Sequence, residues 1–256
     1  MPKKYLAVLV LINLLFIPLP AQAHFGMLLS DRPVVETQDS AAVNLTLRFW
    51  HPRENNGMDM EKPAAFAVLR GGEVRDLLPQ LRAGKEAGRS LWQASFTVEE
   101  PGDHIFYFTP RPYWEEAENC FIIHYSKLIV DGFDLQDGWD AAVGLPMEII
   151  PLTRPYGLYA GNSFSGQVRK EGQPLADCEI ELEFYDPGRQ KPASRDCLIT
   201  QVIKSDQNGY FTVSLPWGGW WGMAALSSAD SKITYDGRTE EAELGGALWV
   251  YVDELP

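Results

Sequence analysis

The stretch AAVNLTLRFW, residues Ala41–Trp50, alternates apolar and polar side chains along most of its length. Every second residue from Val43 to Phe49 is apolar, which is the period of a β-strand with one buried face. The stretch CEIELEFY, Cys178–Tyr185, has the same period. We expect its apolar residues to face a core and its three glutamates, the last of which is Glu183, to face water.

Short runs of this kind recur through most of the chain, separated by turn residues such as Asp206-Gln207-Asn208-Gly209. We predict that the turn Glu99–Asp103 joins two neighbouring strands. The run Phe121–Val130 is apolar on both faces, and we predict that it is a central strand. After residue 23, no long stretch shows the 3.6-residue period of a helix. The further predicted strands are Leu91–Val98, His104–Thr109, Phe164–Val168, Cys197–Lys204, Tyr210–Leu215, Met223–Ser227 and Ala247–Val252.

These patterns predict an all-β fold made of two immunoglobulin-like β-sandwich domains, residues 24–146 and 147–256. The 256 residues are enough for each domain to bury a core. The formal net charge of −13 and the pI near 4.7 argue against nucleic acid and anionic lipid as partners. We expect a monomer.

Residues 1–23 have the pattern of a cleavable signal peptide. Lys3 and Lys4 precede the apolar run Leu6–Leu19, and Ala21-Gln22-Ala23 is a small-residue cleavage site. The apolar run is shorter than the roughly 20 residues of a comfortable membrane span. We therefore predict export to the periplasm and cleavage after Ala23.

Cleavage there would make His24 the first residue of the mature protein. A terminal histidine offers its α-amine and its imidazole to one metal ion, and the amine loses its proton near neutral pH. The alternative is that some residue must follow the cleavage site and that this residue is merely a histidine. The sequence alone leaves both interpretations open.

The other three histidines differ in their sequence surroundings. His51 ends the first predicted strand beside a loop with Gly57 and Met58, although a lone loop histidine is more often solvated. His124 interrupts an apolar strand, where a neutral imidazole needs a hydrogen-bond partner or a metal. His104 follows a turn, and we expect it at the surface. No local metal-binding motif joins them.

The cysteines and tryptophans suggest structural roles. Cys178 and Cys197 each begin a β-patterned run, and in an exported protein we predict that they form a disulfide. We expect Cys120 to be a small buried side chain. The aromatic segment Trp217–Gly222 could stack on a sugar, but core packing is the favoured interpretation. No nucleophile elbow, phosphate loop or His-Glu-x-x-His pattern occurs in the sequence, so we predict no catalytic residue and no enzyme activity.

Several segments together resemble the exported DUF4198 proteins, which are described as periplasmic components of cobalt and nickel uptake systems. The resemblance spans almost the whole chain after residue 23. It is carried by Ala23–Met27, His51-Pro52 with Gly57-Met58, Pro112–Glu115, Cys120–Tyr125, Glu148–Asn162 and Gly218–Gly222. The second domain also resembles carboxypeptidase-regulatory-like and transthyretin-like sandwiches, through Gln173–Ala176 and Asp206–Gly209.

The resemblance implies a metal-handling protein with His24, His51 and His124 as the matching ligands and Met58 as an accessory one. The first hypothesis is that they capture Ni²⁺ or Co²⁺ for a membrane nickel or cobalt transporter. The second keeps the site but assigns it to copper, as in the histidine brace of copper chaperones and oxidative polysaccharide monooxygenases, since nitrogen ligands intrinsically favour copper. The third is a scaffold or adhesion module without a metal.

Overall fold

The computed structural model of the chain describes residues 24–38, 41–188, 190, 193 and 195–254. Within them the protein is all-β, as predicted, with sandwich-like sheets and only short helical turns such as the 3-10 helices Leu78–Gln80 and Asp196–Leu198. The predicted signal peptide, residues 1–23, lies outside the described residues. In the described part of the chain, no helix has the length and apolar character needed to cross a membrane.

Over the described ranges, the strands form three layered sheets and one hairpin. The first sheet contains β1 (Phe25–Ser30), β3 (Ala42–His51), β4 (Asn56–Met58), β7 (Arg82–Glu86) and β8 (Arg89–Thr97). The third sheet contains β12 (Met147–Pro151), β14 (Ser163–Lys170), β15 (Gln173–Pro174) and β18 (Tyr210–Ser214). The hairpin consists of β20 (Ile233–Tyr235) and β21 (Arg238–Glu240).

The central sheet is the largest. Its strands are β2 (Val34–Val35), β5 (Ala65–Arg70), β6 (Glu73–Asp76), β9 (Gly102–Thr109), β10 (Tyr113–Glu115), β11 (Cys120–Gly132), β13 (Leu158–Tyr159), β16 (Glu179–Phe184), β17 (Gln201–Lys204), β19 (Gly219–Ser228) and β22 (Ala242–Asp253). The main order is β17-β16-β19-β22-β11-β9-β5-β6, with β11 and β22 parallel in the middle.

Each face of the central sheet supports a separate core. In β11, Ile122, Leu128 and Val130 join the core under the first sheet, whereas Ile123 and Ile129 join the core under the third sheet. This alternation follows from the period of two in a strand and explains why the run is apolar on both faces. The prediction of a buried central strand here is confirmed.

One sheet therefore crosses the boundary at residues 146–147 that separates the two predicted domains. A buried ion pair also spans the layers, because Lys127 Nζ on β11 donates to Glu148 Oε1 on β12 at 2.8 Å. The backbone amides of Val143 and Gly144 donate to the same carboxylate at 2.9 and 3.0 Å. These hydrogen bonds satisfy a charge pair that burial alone would disfavour.

The structure corrects two details of the strand predictions. The predicted neighbours β8 and β9 are both strands, but β8 pairs with β3 in the first sheet and β9 pairs with β11 in the central sheet. The turn between them carries the chain from one layer to the other. Glu183 does not face water, since it is buried and accepts hydrogen bonds from the Arg53 amide and the Thr200 hydroxyl.

The structure also corrects the predicted disulfide, because all three cysteines are free. Antiparallel pairing of β16 with β17 sets Glu179 opposite Lys204, and Cys178 exchanges hydrogen bonds with Ser205. Cys197 lies in the 3-10 helix before β17, toward the opposite end of this strand pair. The register therefore holds the two cysteines apart.

Candidate functional site

The first sheet brings two of the predicted metal ligands together. Phe25 at the start of β1 pairs with Trp50 near the end of β3, and the next step along both strands sets His24 beside His51. Their ring centroids are 4.6 Å apart. Both side chains are buried, with exposed fractions of 9% and 5%. His51 is therefore not the solvated loop residue that its sequence context most often indicates.

The central sheet supplies the third histidine. His124 lies on the face of β11 that meets the first sheet, and a β-carbon on Gly26 would come within 2.6 Å of the His124 carbonyl oxygen. A β-carbon on Gly245, its neighbour on β22, would lie 2.3 Å from His124 Cδ2. The two glycines thus leave the space that this imidazole and the close strand crossing require.

One aromatic ring connects the histidines. The Phe49 ring stacks on His24 at 5.7 Å between centroids and meets His124 edge-on at 6.0 Å. Phe49 therefore lies between His24 and His124, and His51 joins the cluster through its contact with His24. The sequence could propose these residues but could not show that they meet.

Each end of the cluster has a carboxylate partner. His24 Nε2 lies 3.0 Å from Glu115 Oε2, and His124 Nε2 lies 3.2 Å from Glu243 Oε1. In both pairs the imidazole Nε2–H donates and the carboxylate accepts. Nδ1 of His124 is buried without a hydrogen-bond partner. A buried orphan nitrogen is costly unless a ligand uses it.

The surroundings keep the His24 imidazole neutral and place carboxylates beside the cluster. Burial, and next the neighbouring His51, lowers the pKa of His24 to about 4, although Glu115 opposes this shift. The imidazole is therefore neutral at neutral pH, as a metal ligand must be. Burial would raise the pKa of Glu243, but its hydrogen bond and charge interaction with His124 lower it overall.

More carboxylates crowd the same face of the central sheet. Burial, and then repulsion by Glu243, raises the pKa of Glu181 to about 8, and the same two causes raise the pKa of Glu118. A bound cation would reduce the repulsion between carboxylates that raise one another's pKa values. The electrostatics of the site thus favour positive charge.

Side chains alone do not complete a metal site. Among the residues that the structure describes, no group of three or more His, Cys, Asp or Glu side chains is arranged so that it could hold a metal ion. The described chain also does not test the predicted cleavage, which would add the His24 α-amine as a donor. The assignment of these histidines as ligands stays a prediction.

The sulfur atoms are less suited to binding. Met58 pairs across the strands with Phe49 and packs, half-buried, against the first core. The Cys120 thiol lies near Glu118, at 3.9 Å, and burial raises its pKa to about 11, so it stays protonated. Cys120 is half-buried rather than fully buried. The accessory role of Met58 as a metal ligand stays a prediction.

Two carboxylates of the cluster were missed in the sequence. Glu115 belongs to a glutamate-rich run whose usual interpretation is a solvated loop, and Glu243 was not distinguished from other strand residues. The available signal was the small-residue pair Gly245-Gly246 shortly after Glu243, because a glycine inside a strand often marks a close approach by another group.

His104 lies elsewhere, and its predicted surface position is wrong. Its side chain is buried, Nδ1 lies 2.9 Å from the Gly102 carbonyl oxygen, and the ring packs edge-on against Phe96. Trp221 is also buried, with Trp217 stacked on it at 5.8 Å, so the favoured core-packing interpretation of this aromatic segment is confirmed.

Comparison with known proteins yields a family and remote structural similarities. No curated protein matches the chain. The "D0-D1 domain of Intimin" is 12% identical over 88% of this chain and 99% of that one, with a TM-score of 0.25. The Clostridium thermocellum CbhA fibronectin(III)-like modules are 9% identical over 89% and 95%, with a TM-score of 0.24. The Yersinia pseudotuberculosis adhesin InvE is 15% identical over 86% and 58%, with a TM-score of 0.25. The family model described as "Domain of unknown function (DUF4198)" matches residues 21–229, and the chain therefore belongs to this family.

Proposed function

We propose that this protein is an exported, non-enzymatic metal carrier that captures Ni²⁺ or Co²⁺ and delivers it to a membrane uptake transporter. The proposal places the protein in the periplasm after cleavage behind Ala23. The observation that carries it is the histidine cluster, in which His24 contacts both His51 and Phe49 and Phe49 contacts His124, whose Nδ1 is buried without a hydrogen-bond partner.

The carboxylates support a specific division of roles. A metal-binding histidine commonly donates its other ring nitrogen to a carboxylate, which orients the ring and raises its basicity. Glu115 and Glu243 occupy Nε2 of His24 and His124, so Nδ1 is the nitrogen that each ring would offer to a metal. In His24, Nδ1 and the α-amine can close a small chelate ring on one ion.

Cleavage would therefore create the site. The precursor has a peptide bond at the nitrogen of His24, and an amide nitrogen is a poor donor at neutral pH. The mature protein would combine the amine with imidazole nitrogens, a donor set that suits Ni²⁺ and Co²⁺. Metal would be released as the pH falls, because the same nitrogens take up protons.

Calorimetric Ni²⁺ titrations test this function. The samples are the mature protein that begins at His24 and the same protein with one alanine added in front. We expect one-to-one binding that the added alanine weakens at least tenfold. A His124→Ala variant should weaken binding too, whereas His104→Gln, a substitution outside the cluster, should leave the affinity unchanged.

The opposite results are equally informative. Equal binding by the mature and extended proteins would remove the α-amine from the site. No binding of Ni²⁺ or Co²⁺ by the mature protein would overturn the proposed cargo and favour a scaffold without a metal. Delivery is tested separately, by nickel uptake in cells that carry the wild-type protein or the His124→Ala variant.

Copper is the second candidate. A terminal histidine beside His51, with rings 4.6 Å apart, is an arrangement that suits Cu²⁺, which binds nitrogen ligands more tightly than Ni²⁺. Metal competition at matched free concentrations distinguishes the two ions. Oxygen consumption by a copper-loaded, reduced sample would favour an oxidative enzyme, and redox silence would favour a carrier.

A further inference from the structure

A cavity of about 150 Å³ lies beside the histidine cluster, and His124 is part of its lining. An engineered apolar cavity of similar volume in another protein binds benzene. The size and the aromatic walls therefore suit one small, flat and mostly apolar molecule. The rings that contribute to the walls are those of Phe49, Phe108, Tyr113, Trp114, Phe121 and Tyr235.

The carboxylates that line the cavity are already engaged or lie in solvent. Asp59 accepts hydrogen bonds from the Ser90 amide and hydroxyl at 2.8 and 3.0 Å. Glu61 Oε2 accepts a hydrogen bond from the Tyr235 hydroxyl at 2.8 Å. Asp236 is exposed in the turn of the hairpin β20–β21. The cavity therefore shows no buried negative charge that would call for a cationic ligand among the described residues.

The arginines of the lining are engaged as well. Each of the three contacts a group of the protein, so none is left free for an anionic ligand. A neutral ligand would disturb none of these contacts. The contacts are Arg48 with Glu86 at 2.8 Å, Arg111 with the Tyr235 hydroxyl, and Arg238 with Glu116 at 3.9 Å.

His124 differs from these charged residues because its Nδ1 has no hydrogen-bond partner in the described part of the chain. Its side chain is buried. Cδ2 and Nε2 face β22, since a β-carbon on Gly245 would lie 2.3 and 2.6 Å from them. Nδ1 is on the opposite edge of the ring from Cδ2. That is the side of β11 on which β9 and β10 pair with it and contribute Phe108 and Tyr113 to the cavity.

A hydroxyl group is well suited to this nitrogen. It can donate a hydrogen bond to an unprotonated Nδ1 and accept one from a protonated Nδ1, so it satisfies the atom in either state of the ring. A buried polar atom that gains a partner no longer costs free energy. A hydroxyl on an aromatic ring would combine this hydrogen bond with packing on the flat walls.

We propose that the cavity binds one small neutral phenol, whose ring packs against Phe108 and Tyr113 and whose hydroxyl forms a hydrogen bond with His124 Nδ1. This inference goes beyond the proposed function and does not depend on it. A phenol and a metal ion would use the same nitrogen of His124. We therefore expect the phenol to bind to the metal-free protein.

Calorimetric titrations of the metal-free protein that begins at His24 test this inference with three probes. Phenol is compared with toluene, which keeps the flat ring but has a methyl group in place of the hydroxyl. It is also compared with cyclohexanol, which keeps the hydroxyl but is not flat. His124→Ala removes the imidazole, and His104→Ala is the matched control because His104 is also buried but lies outside this cavity.

We expect one phenol to bind per protein and cyclohexanol to bind at least tenfold more weakly. His124→Ala should lower the ratio of phenol affinity to toluene affinity at least fivefold, because only phenol uses Nδ1. His104→Ala should leave this ratio unchanged. Thermal unfolding shows whether each variant is folded, and the wild-type comparison of phenol with cyclohexanol needs no variant.

Three results would overturn the inference. They are no binding of phenol by the wild-type protein, equal binding of phenol and cyclohexanol, and an unchanged phenol-to-toluene ratio in folded His124→Ala. Nickel binding, measured in samples without phenol, reports separately on the proposed function. Phenol binding without nickel binding would reject the metal carrier and support the phenol site, and nickel binding without phenol binding would do the reverse.

Discussion

At the scale of single residues, the cluster depends on which atom of each imidazole is left for a ligand. His124 Nε2 is engaged by its hydrogen bond to Glu243, and Nδ1 has no hydrogen-bond partner. Nδ1 is therefore the ring nitrogen that His124 would offer to a metal. Glu115 has the same relation to His24. The carboxylates would therefore act as positioning residues, because they orient the rings and set which nitrogen keeps its proton.

We predict that Glu243→Gln lowers nickel affinity about 10- to 100-fold, since a neutral amide orients and polarises His124 less well. The melting temperature should not fall, because the substitution removes a charge that crowds Glu181. Calorimetry and thermal unfolding measure the two effects. Glu241→Gln, an exposed glutamate just before β22, is the matched control. Equal nickel affinity in both variants would remove Glu243 from the site.

Because His104 is buried, we predict that the folded protein loses stability as the pH falls. Burial lowers its pKa in the folded protein to about 4 from the ordinary 6.5, with smaller effects from the Gly102 hydrogen bond, Arg70 and Glu100. The unfolded chain therefore binds the proton first. The contribution of His104 is fully present above pH 6.5 and is lost as the pH falls toward 4, by at most about 1.4 kcal/mol per pH unit.

Urea unfolding of His104→Gln and wild type between pH 7 and 4 measures this effect. The difference in unfolding free energy between the two proteins should shift in favour of the variant as the pH falls. Buried carboxylates such as Glu183, whose pKa burial raises to about 7, affect both proteins alike and cancel in the comparison. A constant difference across this range would contradict the prediction.

At the scale of elements, the close packing of β1, β11 and β22 creates the space for the cluster. Gly26 lets β1 approach the backbone of β11, and Gly245 makes room for the His124 ring. β1 and β22 thus fix the position of the His124 side chain, which belongs to β11. The site is a product of strand packing as much as of its polar residues.

We expect Gly245→Ala to displace the His124 ring, because the new β-carbon would lie 2.3 Å from Cδ2. Overpacking of this kind typically costs about 1–3 kcal/mol, and nickel affinity should fall as well. Gly246→Ala is the matched control, since its β-carbon meets the Met147 backbone on the opposite face at 2.8 Å. It should destabilise the fold while the folded protein still binds nickel as wild type does. Wild-type nickel affinity in Gly245→Ala would refute this prediction.

At the scale of the whole molecule, the central sheet contributes to both cores. The parallel pairing of β11 with β22 and the buried ion pair of Lys127 with Glu148 join the segments on either side of residues 146–147. The two cores lie on opposite faces of the central sheet. Unfolding one core would therefore expose one face of the strands that also support the other core. The layers are therefore expected to unfold together.

We predict one unfolding transition for the mature protein. Leu45→Ala in the first core and Leu182→Ala in the second should each cost about 2–5 kcal/mol and move the same transition. Tryptophan fluorescence and differential scanning calorimetry follow it. Two transitions, each moved by only one of the variants, would instead establish two domains that unfold independently.

The sequence alone determined the β-structure and the candidate histidines. A period of two reflects one buried face in any strand, so Ala41–Trp50 and Phe121–Val130 could be placed from local pattern. The histidines stood out through their positions at a cleavage site, at a strand end and in an apolar strand. Each of these signals is local in the chain.

Which of these residues meet depends on the three-dimensional packing of the strands. Strand partners depend on packing between distant segments, and for this reason β8 and β9 separate into two sheets and Cys178 lies opposite Ser205. Burial likewise depends on the layer above a residue, so Glu183 and His104 are enclosed despite polar contexts. The meeting of His24 with His51 and His124 has the same origin, because strand register and the close crossing at Gly26 bring together residues that lie far apart in the chain.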